Sequence, residues 1–420
     1  MQRTLATLLL WAVAATAQPL PAALPAAEGY STERLARLSP FMRDVTGADG
    51  YLGGVTLVVC HGRVVEWQAH GHRDLARSLP MARDSIFRIY SMTKTITTVA
   101  ALILMEEGRL GLEDPVDRFL PAFKGLRVFS GGSAAAPQTR VAARPITIRH
   151  LFTHTAGFAT GGPGFEVPTS LLDRQKLNDS TDLSDYAARV AAVPLATDPG
   201  TRFGYDGVNI EVLARVIEIA SGMPFDAFAQ QRILTPLAMH DTGWRVPAAE
   251  RHRVVTITTM GADGHLVRAA GRSAEQPGEP LNAYPSGAGG LYSTAGDFAR
   301  FCQMLLNGGT LDGRSILGRK TVELMMMNHL TQLDPPAIPS SPAEGFGLGG
   351  SVVIDVARRG QLGSLGAFGW RGAASTYFSI DNREQMVSIL LLQHLPVDQG
   401  ADLPPVSTRF YNLVYQALIP

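Results

Sequence analysis

Three kinds of apolar spacing follow one another along the 420-residue chain and divide it into segments. In residues 31–45, Leu35, Leu38, Phe41 and Met42 recur at helical spacing. Residues 53–71 switch to strand character. Two β-rich runs, 55–60 and 64–68, are joined by His61-Gly62-Arg63 and predict a hairpin. From Ser91 the sequence "SMTKTITTVAALILMEEG" is apolar nearly all round, which predicts a buried helix ended by Gly108. Residues 130–145 are polar and rich in Gly, Ala and Pro, and predict a surface loop. Residues 146 to about 330 read as mostly helical, with one helix closed by Gly222 and another opened by Ser293 or Thr294 and closed by Gly308. Strand character returns in "GSVVIDVA", "GAASTYFSID" and "QMVSILLLQH". The chain then closes on a helix with Phe410, Leu413, Val414, Ala417 and Leu418 on one face.

Strands at both ends with helices between them predict an α+β fold. One antiparallel sheet is built from the N- and C-terminal segments, terminal helices cover it, and a mostly helical lobe is inserted. The expected limits are a sheet lobe over about 30–125 and 330–420 and a helical lobe over about 126–329, with a cleft between them. No internal repeat is present.

Charge narrows the class of substrate. Lys+Arg and Asp+Glu are 37 each, so no net field draws the chain to nucleic acid or to an anionic membrane. A small neutral substrate fits better than a polyanion. The first 17 residues combine Arg3, an apolar run from Leu5 to Ala15 and the small-x-small site Ala15-Thr16-Ala17. That is the pattern of a secretory signal peptide, with cleavage after Ala17 and a catalytic domain over 18–420. The run is too short to span a bilayer, and the expected location is periplasmic or secreted. The two cysteines, Cys60 and Cys302, sit in apolar segments and are expected as buried free thiols. Nothing in the sequence indicates an oligomeric state.

Candidate chemistry centres on "FRIYSMTKTI". The chain has only four lysines, Lys94, Lys124, Lys176 and Lys320, and one of them lies three residues after Ser91. At i, i+3 on a helix the two side chains share a face. A lysine buried beside a hydroxyl is desolvated, which disfavours its charged form and suits it to act as a base. Tyr205, just before a predicted helix, is placed to shuttle a proton. In "GAFGWRGAAS", Gly372 lets a ligand approach the backbone closely, and the N–H of Ala373 is a candidate oxyanion donor. His70 and His72 form a His-x-His without a third ligand at recognisable spacing, so no metal is expected. A Gly-x-Ser-x-Gly elbow is missing. Gly345, Gly347 and Gly350 lead into a strand and not a helix, so they do not read as a dinucleotide loop.

The order Ser91-x-x-Lys94, Tyr205, Trp370-Arg371-Gly372 resembles the serine β-lactamase and penicillin-binding-protein superfamily. The segments "LEDPVDRFLPAF", "ITIRHLFTHTAGF" and "YPSGAGGLYSTAGDFARFCQMLLNGG" are similar to class C β-lactamase-like hydrolases, and the likeness runs from residue 53 to about 395. The resemblance implies an acyl-enzyme on Ser91, with Lys94 and Tyr205 as a coupled base. It also implies an oxyanion hole from the N–H groups of Ser91 and Ala373, substrate contacts at Trp370, Arg371 and Gly372, and no cofactor. Two departures stand out. True β-lactamases carry Lys-Thr-Gly where this chain has Trp370-Arg371-Gly372, and Gly207 stands where the family's Tyr-x-Asn has its amide. Both are similar to the family VIII carboxylesterase branch. The resemblance therefore implies a carboxylesterase for small or short-chain esters. The rivals are a β-lactamase, a D-alanyl-D-alanine peptidase, or an inactive binder of peptide or peptidoglycan. Arg371 is expected either to replace the missing cation or to point to solvent, and His154 to organise a loop.

Overall fold

A computed structural model describes residues 19–159, 161–397 and 401–420. The predicted signal peptide therefore lies outside the described residues. Seven strands form one antiparallel sheet: β1 (Gly53–Cys60), β2 (Arg63–Gly71), β3 (Glu344–Phe346), β4 (Ser351–Val353), β5 (Phe368–Gly372), β6 (Thr376–Asp381) and β7 (Met386–Leu391), in the order β3-β4-β5-β6-β7-β1-β2. The N-terminal hairpin joins the C-terminal meander through β1 and β7, with Val55 opposite Leu391 and Cys60 opposite Met386. The turn between β1 and β2 has positive φ at both His61 and Gly62, the twist that suits a two-residue hairpin.

Alternation, interrupted by one register shift between β1 and β2 at Val58/Val59, gives the sheet two apolar faces. Val55, Leu57, Val59, Phe368, Phe378 and Ile389 point inward to the main core. Val58, Cys60, Val65, Met386 and Leu390 point outward against α1 (Leu38–Val45) and the C-terminal helix Ser407–Tyr415. On the inner side the sheet meets α4 (Ala295–Leu306) and the turn that leads into α2 (Thr93–Glu106), and α2 packs in turn on α3 (Val208–Ser221). Every residue of α2 from Thr93 to Leu104 is buried, as its lack of a polar face predicts. Positive φ at Gly222 and Gly308 ends α3 and α4, and Thr294 caps α4 by accepting from the N–H of Asp297.

The α+β arrangement is as expected, with four corrections. Residues 130–145 are not a loop: Arg127–Ser133 and Ala136–Val141 pair as an exposed hairpin. With almost no buried face it shows no alternation to read. The strand expected in "GSVVIDVA" stops at Val353, where Asp355 caps a short helix, Val356–Arg359. Trp370, Arg371 and Gly372 end a strand of their own, with 373–375 as the turn into β6. Helix α4 packs on the sheet, so the helical lobe ends before 295 and not near 329.

Candidate active site

The turn before α2 sets the geometry. Tyr90, Ser91 and Met92 form a single 3-10 turn that runs into the helix, so Ser91 precedes the α-helix instead of opening it. Tyr90 has φ of +42°, a costly conformation for a bulky residue. It is held by a hydrogen bond from its hydroxyl to Ser273 Oγ, at 3.2 Å, and by packing against Ile257, Ala269 and Ala374. This bend turns Ser91 toward a cleft of about 1060 Å³, which Ser91 and Lys94 line together with Tyr186, Tyr205, Leu281 and Tyr284.

Lys94 is 3% exposed. Its Nζ donates to Ser91 Oγ at 3.0 Å and to the Ala288 carbonyl at 2.7 Å. It also lies 5.1 Å from the centre of the Tyr205 ring. The Ser-Lys pair is thus formed directly, while Tyr205 approaches Lys94 through its ring face. The Tyr205 hydroxyl accepts from the indole N–H of Trp370 at 2.9 Å. Where Lys-Thr-Gly would bring an ammonium, the chain brings an indole donor to the tyrosine. Below Tyr205, His154 is fully buried, with its ring 4.7 Å away. Burial, and then the Lys94 charge, hold its imidazole well below the ordinary range. It is a packing support, in keeping with the loop-organising part expected of it.

Two carboxyls complete the surroundings of Lys94, the part-buried Asp206 and the buried Glu211, and the sequence did not single them out. Asp206 Oδ1 accepts from the backbone and side-chain amides of Asn209, at 3.0 and 2.7 Å, tying the Tyr205 loop to the first turn of α3. Glu211 accepts from Ser286 Oγ and from Gly287 N. Burial pushes Asp206 up to about 6 and Glu211 up to about 7, although hydrogen bonds and Lys94 pull both back. The signal was there for Glu211: it is an acid inside the continuous buried run Val208–Ala214 of an apolar helix.

Strand β5 closes the other wall. A Cβ on Gly372 would lie 2.4 Å from the Ile89 carbonyl and 2.3 Å from Thr376 Oγ1. Only glycine lets the strand end against the nucleophile turn, which brings Ala373 next to it. Trp370 packs inward with Tyr205 and Phe346. Arg371 is exposed, its guanidinium carbon 5.9 Å from the centre of the Trp370 ring. It pairs across the ladder with Tyr377, on the outer face that packs against the C-terminal helix, and lines a separate polar cavity there with Glu344, Arg359 and Tyr411. Of the two places expected for it, the exposed one is the one it takes, since adjacent strand residues face opposite sides of the sheet. At position 207 a Cβ would meet nothing nearer than the Ala288 Cβ at 3.5 Å, so packing does not forbid the amide that this chain lacks.

Residues 37–406 match the beta-lactamase family. The chain belongs to the beta-lactamase family. That membership places it among the serine hydrolases of this superfamily. Protein Rv1367c of Mycobacterium tuberculosis is 33% identical over 90% of this chain and 97% of its own length. Esterase EstB of Burkholderia gladioli is 30% identical, with coverage of 81% and 85%. Among solved structures, EstCE1, described as a hydrolase with promiscuous acyltransferase activity, superposes with a TM-score of 0.71 at 24% identity, over 92% of this chain and 99% of its own. The beta-lactamase fold is therefore shared over almost the whole described chain. Cys60 and Cys302 are both buried and free. No helix among the described residues is long and apolar enough to cross a membrane.

Proposed function

We propose that the chain is a carboxylesterase working through an acyl-enzyme on Ser91. The observation that carries this reading is the Trp370 indole on the Tyr205 hydroxyl at 2.9 Å, beside a Ser91–Lys94 pair at 3.0 Å. The nucleophile and base are assembled, and the strand position that would hold a cation for a β-lactam carboxylate holds a neutral donor. The 30% identity to esterase EstB supports the same choice.

In this mechanism Lys94, as the free amine, takes the proton of Ser91 while Oγ attacks the ester carbonyl carbon. The oxyanion is held by the N–H groups of Ser91 and Ala373. The tetrahedral species collapses, the C–O bond to the alcohol breaks, and the proton passes through Lys94 or Tyr205 to the departing alkoxide. A water activated by Tyr205, whose oxygen is steadied by Trp370, adds to the acyl carbon and frees the acid and Ser91. No metal or cofactor enters. The cleft, about 1060 Å³, is at the upper end of the range for small-molecule sites. It leaves room for a bulky alcohol beside a short acyl group. We propose export as well, directed by the first 17 residues.

Intact-mass analysis after incubation with p-nitrophenyl butyrate and, separately, a penicillin tests the choice. A butyryl adduct on the Ser91 peptide with slow or no penicilloyl adduct is expected. Faster acylation and turnover with the penicillin, or with a D-alanyl-D-alanine peptide, would overturn the esterase reading. No adduct with any of them would favour an inactive binding protein.

A further inference from the structure

The loop that fixes Lys94 has almost no side chains of its own. Ser286, Gly287, Ala288 and Gly289 cross the base of the cleft, and a Cβ on Gly287 would lie 2.9 Å from the Ala214 Cβ, so the loop lies flat on α3. Its position is set by bonds from the two helices it bridges. From α2, Thr97 Oγ1 donates to the Gly287 carbonyl at 2.7 Å and Lys94 Nζ to the Ala288 carbonyl at 2.7 Å. From α3, Glu211, 4% exposed, accepts from Gly287 N at 2.9 Å and from Ser286 Oγ, which in turn accepts from Gly289 N at 3.1 Å. Both oxygens of a buried carboxylate are thus used on one four-residue loop, and Glu211 also lines the cleft with Lys94. A buried acid is costly to keep, and a glutamine of similar shape would keep the bond from Gly287 N but reverse the one with Ser286 Oγ.

We propose that Glu211 is the positioning residue for Lys94: it clamps the Ser286–Gly289 loop so that the Ala288 carbonyl holds the amine on Ser91, and its charge sets how readily that amine gives up and takes a proton. The proposal rests on the reading of Ser91 and Lys94 as nucleophile and base. The titratable groups that face Glu211 are Lys94, Asp206 from the loop before α3, and Tyr186 and Tyr284 from the cleft wall. Burial raises the hydroxyls of both tyrosines, so they stay neutral. An ionised Glu211 is attracted to the Lys94 side chain when that carries charge. A neutral side chain at 211 removes that attraction. The clamp and the charge are separable by substitution.

Glu211→Gln keeps an acceptor for Gly287 N and a donor for Ser286 Oγ but removes the charge. Glu211→Ala removes both. The readouts on the full chain are the rate of Ser91 labelling by a fluorophosphonate, kcat and KM for p-nitrophenyl butyrate between pH 5 and 9, and the melting temperature. Glu211→Gln is expected to label within about threefold of the wild-type rate at pH 8 and to move the acid limb of kcat/KM to lower pH by about half to one unit. Glu211→Ala is expected to label at least about tenfold more slowly, with kcat reduced and KM within about twofold. A folded Ala variant labelled at the wild-type rate would overturn the clamp, and an acid limb unmoved in the Gln variant would overturn the charge. If the Ala variant does not fold, Ser286→Ala removes one of the two bonds. Slower labelling with unchanged KM then supports the clamp, and wild-type labelling refutes it. A wild-type protein that is not labelled at Ser91 would instead sink the acyl-enzyme reading, independently of Glu211.

Discussion

Replacing Trp370 by Phe isolates one hydrogen bond at the centre of the site. The indole N–H donates to Tyr205 at 2.9 Å, while its ring packs 4.9 Å from the Tyr205 ring and 5.1 Å from that of Phe346. Phe keeps most of the ring contact and loses the donor. A hydrogen bond to a group that gains charge is worth about 1.5–3 kcal/mol. Tyr205 is 37% exposed, and solvent screening reduces that to about 1–2 kcal/mol. The expected loss is therefore about 5- to 30-fold in the step where Tyr205 carries negative charge. Stability should change by about 1 kcal/mol or less, from the smaller ring. Single-turnover kinetics with p-nitrophenyl butyrate separate acyl-enzyme formation from its hydrolysis, and the larger loss belongs to hydrolysis, where Tyr205 activates water. A folded Trp370→Phe protein with wild-type rates for both steps across pH 6 to 9 would refute this use of the indole. Equal losses in Tyr205→Phe and in a double variant that also carries Trp370→Phe would confirm that the indole acts through the Tyr205 hydroxyl.

Ser91→Ala should abolish turnover with the fold intact by circular dichroism, and an active variant would sink the mechanism. Lys94→Ala should cost at least about a hundredfold in kcat, read with the same ester. Gly372→Ala forces a Cβ to 2.4 Å from the Ile89 carbonyl, so kcat should fall by about tenfold or more and the melting temperature by a few degrees; a neutral effect on both would refute the account of that close approach. Glu66, far from the cleft, accepts from Thr56 Oγ1 at 2.8 Å, and burial raises its carboxyl from 4.5 to about 7. A raised folded value means that the stability it contributes is present below about pH 4.5 and lost as pH rises to about 7. Glu66→Gln should therefore gain on the wild type over that window, by up to about 3 kcal/mol. Melting curves of the two proteins that stay parallel from pH 4.5 to 8 would contradict this.

Local pattern was sufficient wherever one element's environment is uniform. The absence of a polar face from Thr93 to Leu104 announces a helix buried on all sides, and two β-rich runs joined by His61-Gly62-Arg63 announce the hairpin. The Ser91–Lys94 pair follows from helical spacing alone, because i and i+3 share a face whatever surrounds them. The exposed hairpin at 127–141 was not legible, since ladder bonds carry no side-chain signature when neither face is buried.

What depends on the meeting of distant elements was decided only by the tertiary structure. Trp370 and Arg371 are neighbours in sequence, but the pleat sends one to Tyr205 and the other to the outer face of the sheet. Which side is the cleft depends on β5 docking against the turn before α2, a contact between residues more than 280 positions apart. Glu211 follows the same rule. The sequence places an acid in an apolar helix, and only the loop at 286–289, crossing between α2 and α3, gives that acid its partners and brings it to Lys94. A residue's type and local face are written in its segment, whereas its chemical part is set by the charges and donors that folding brings within a few ångströms.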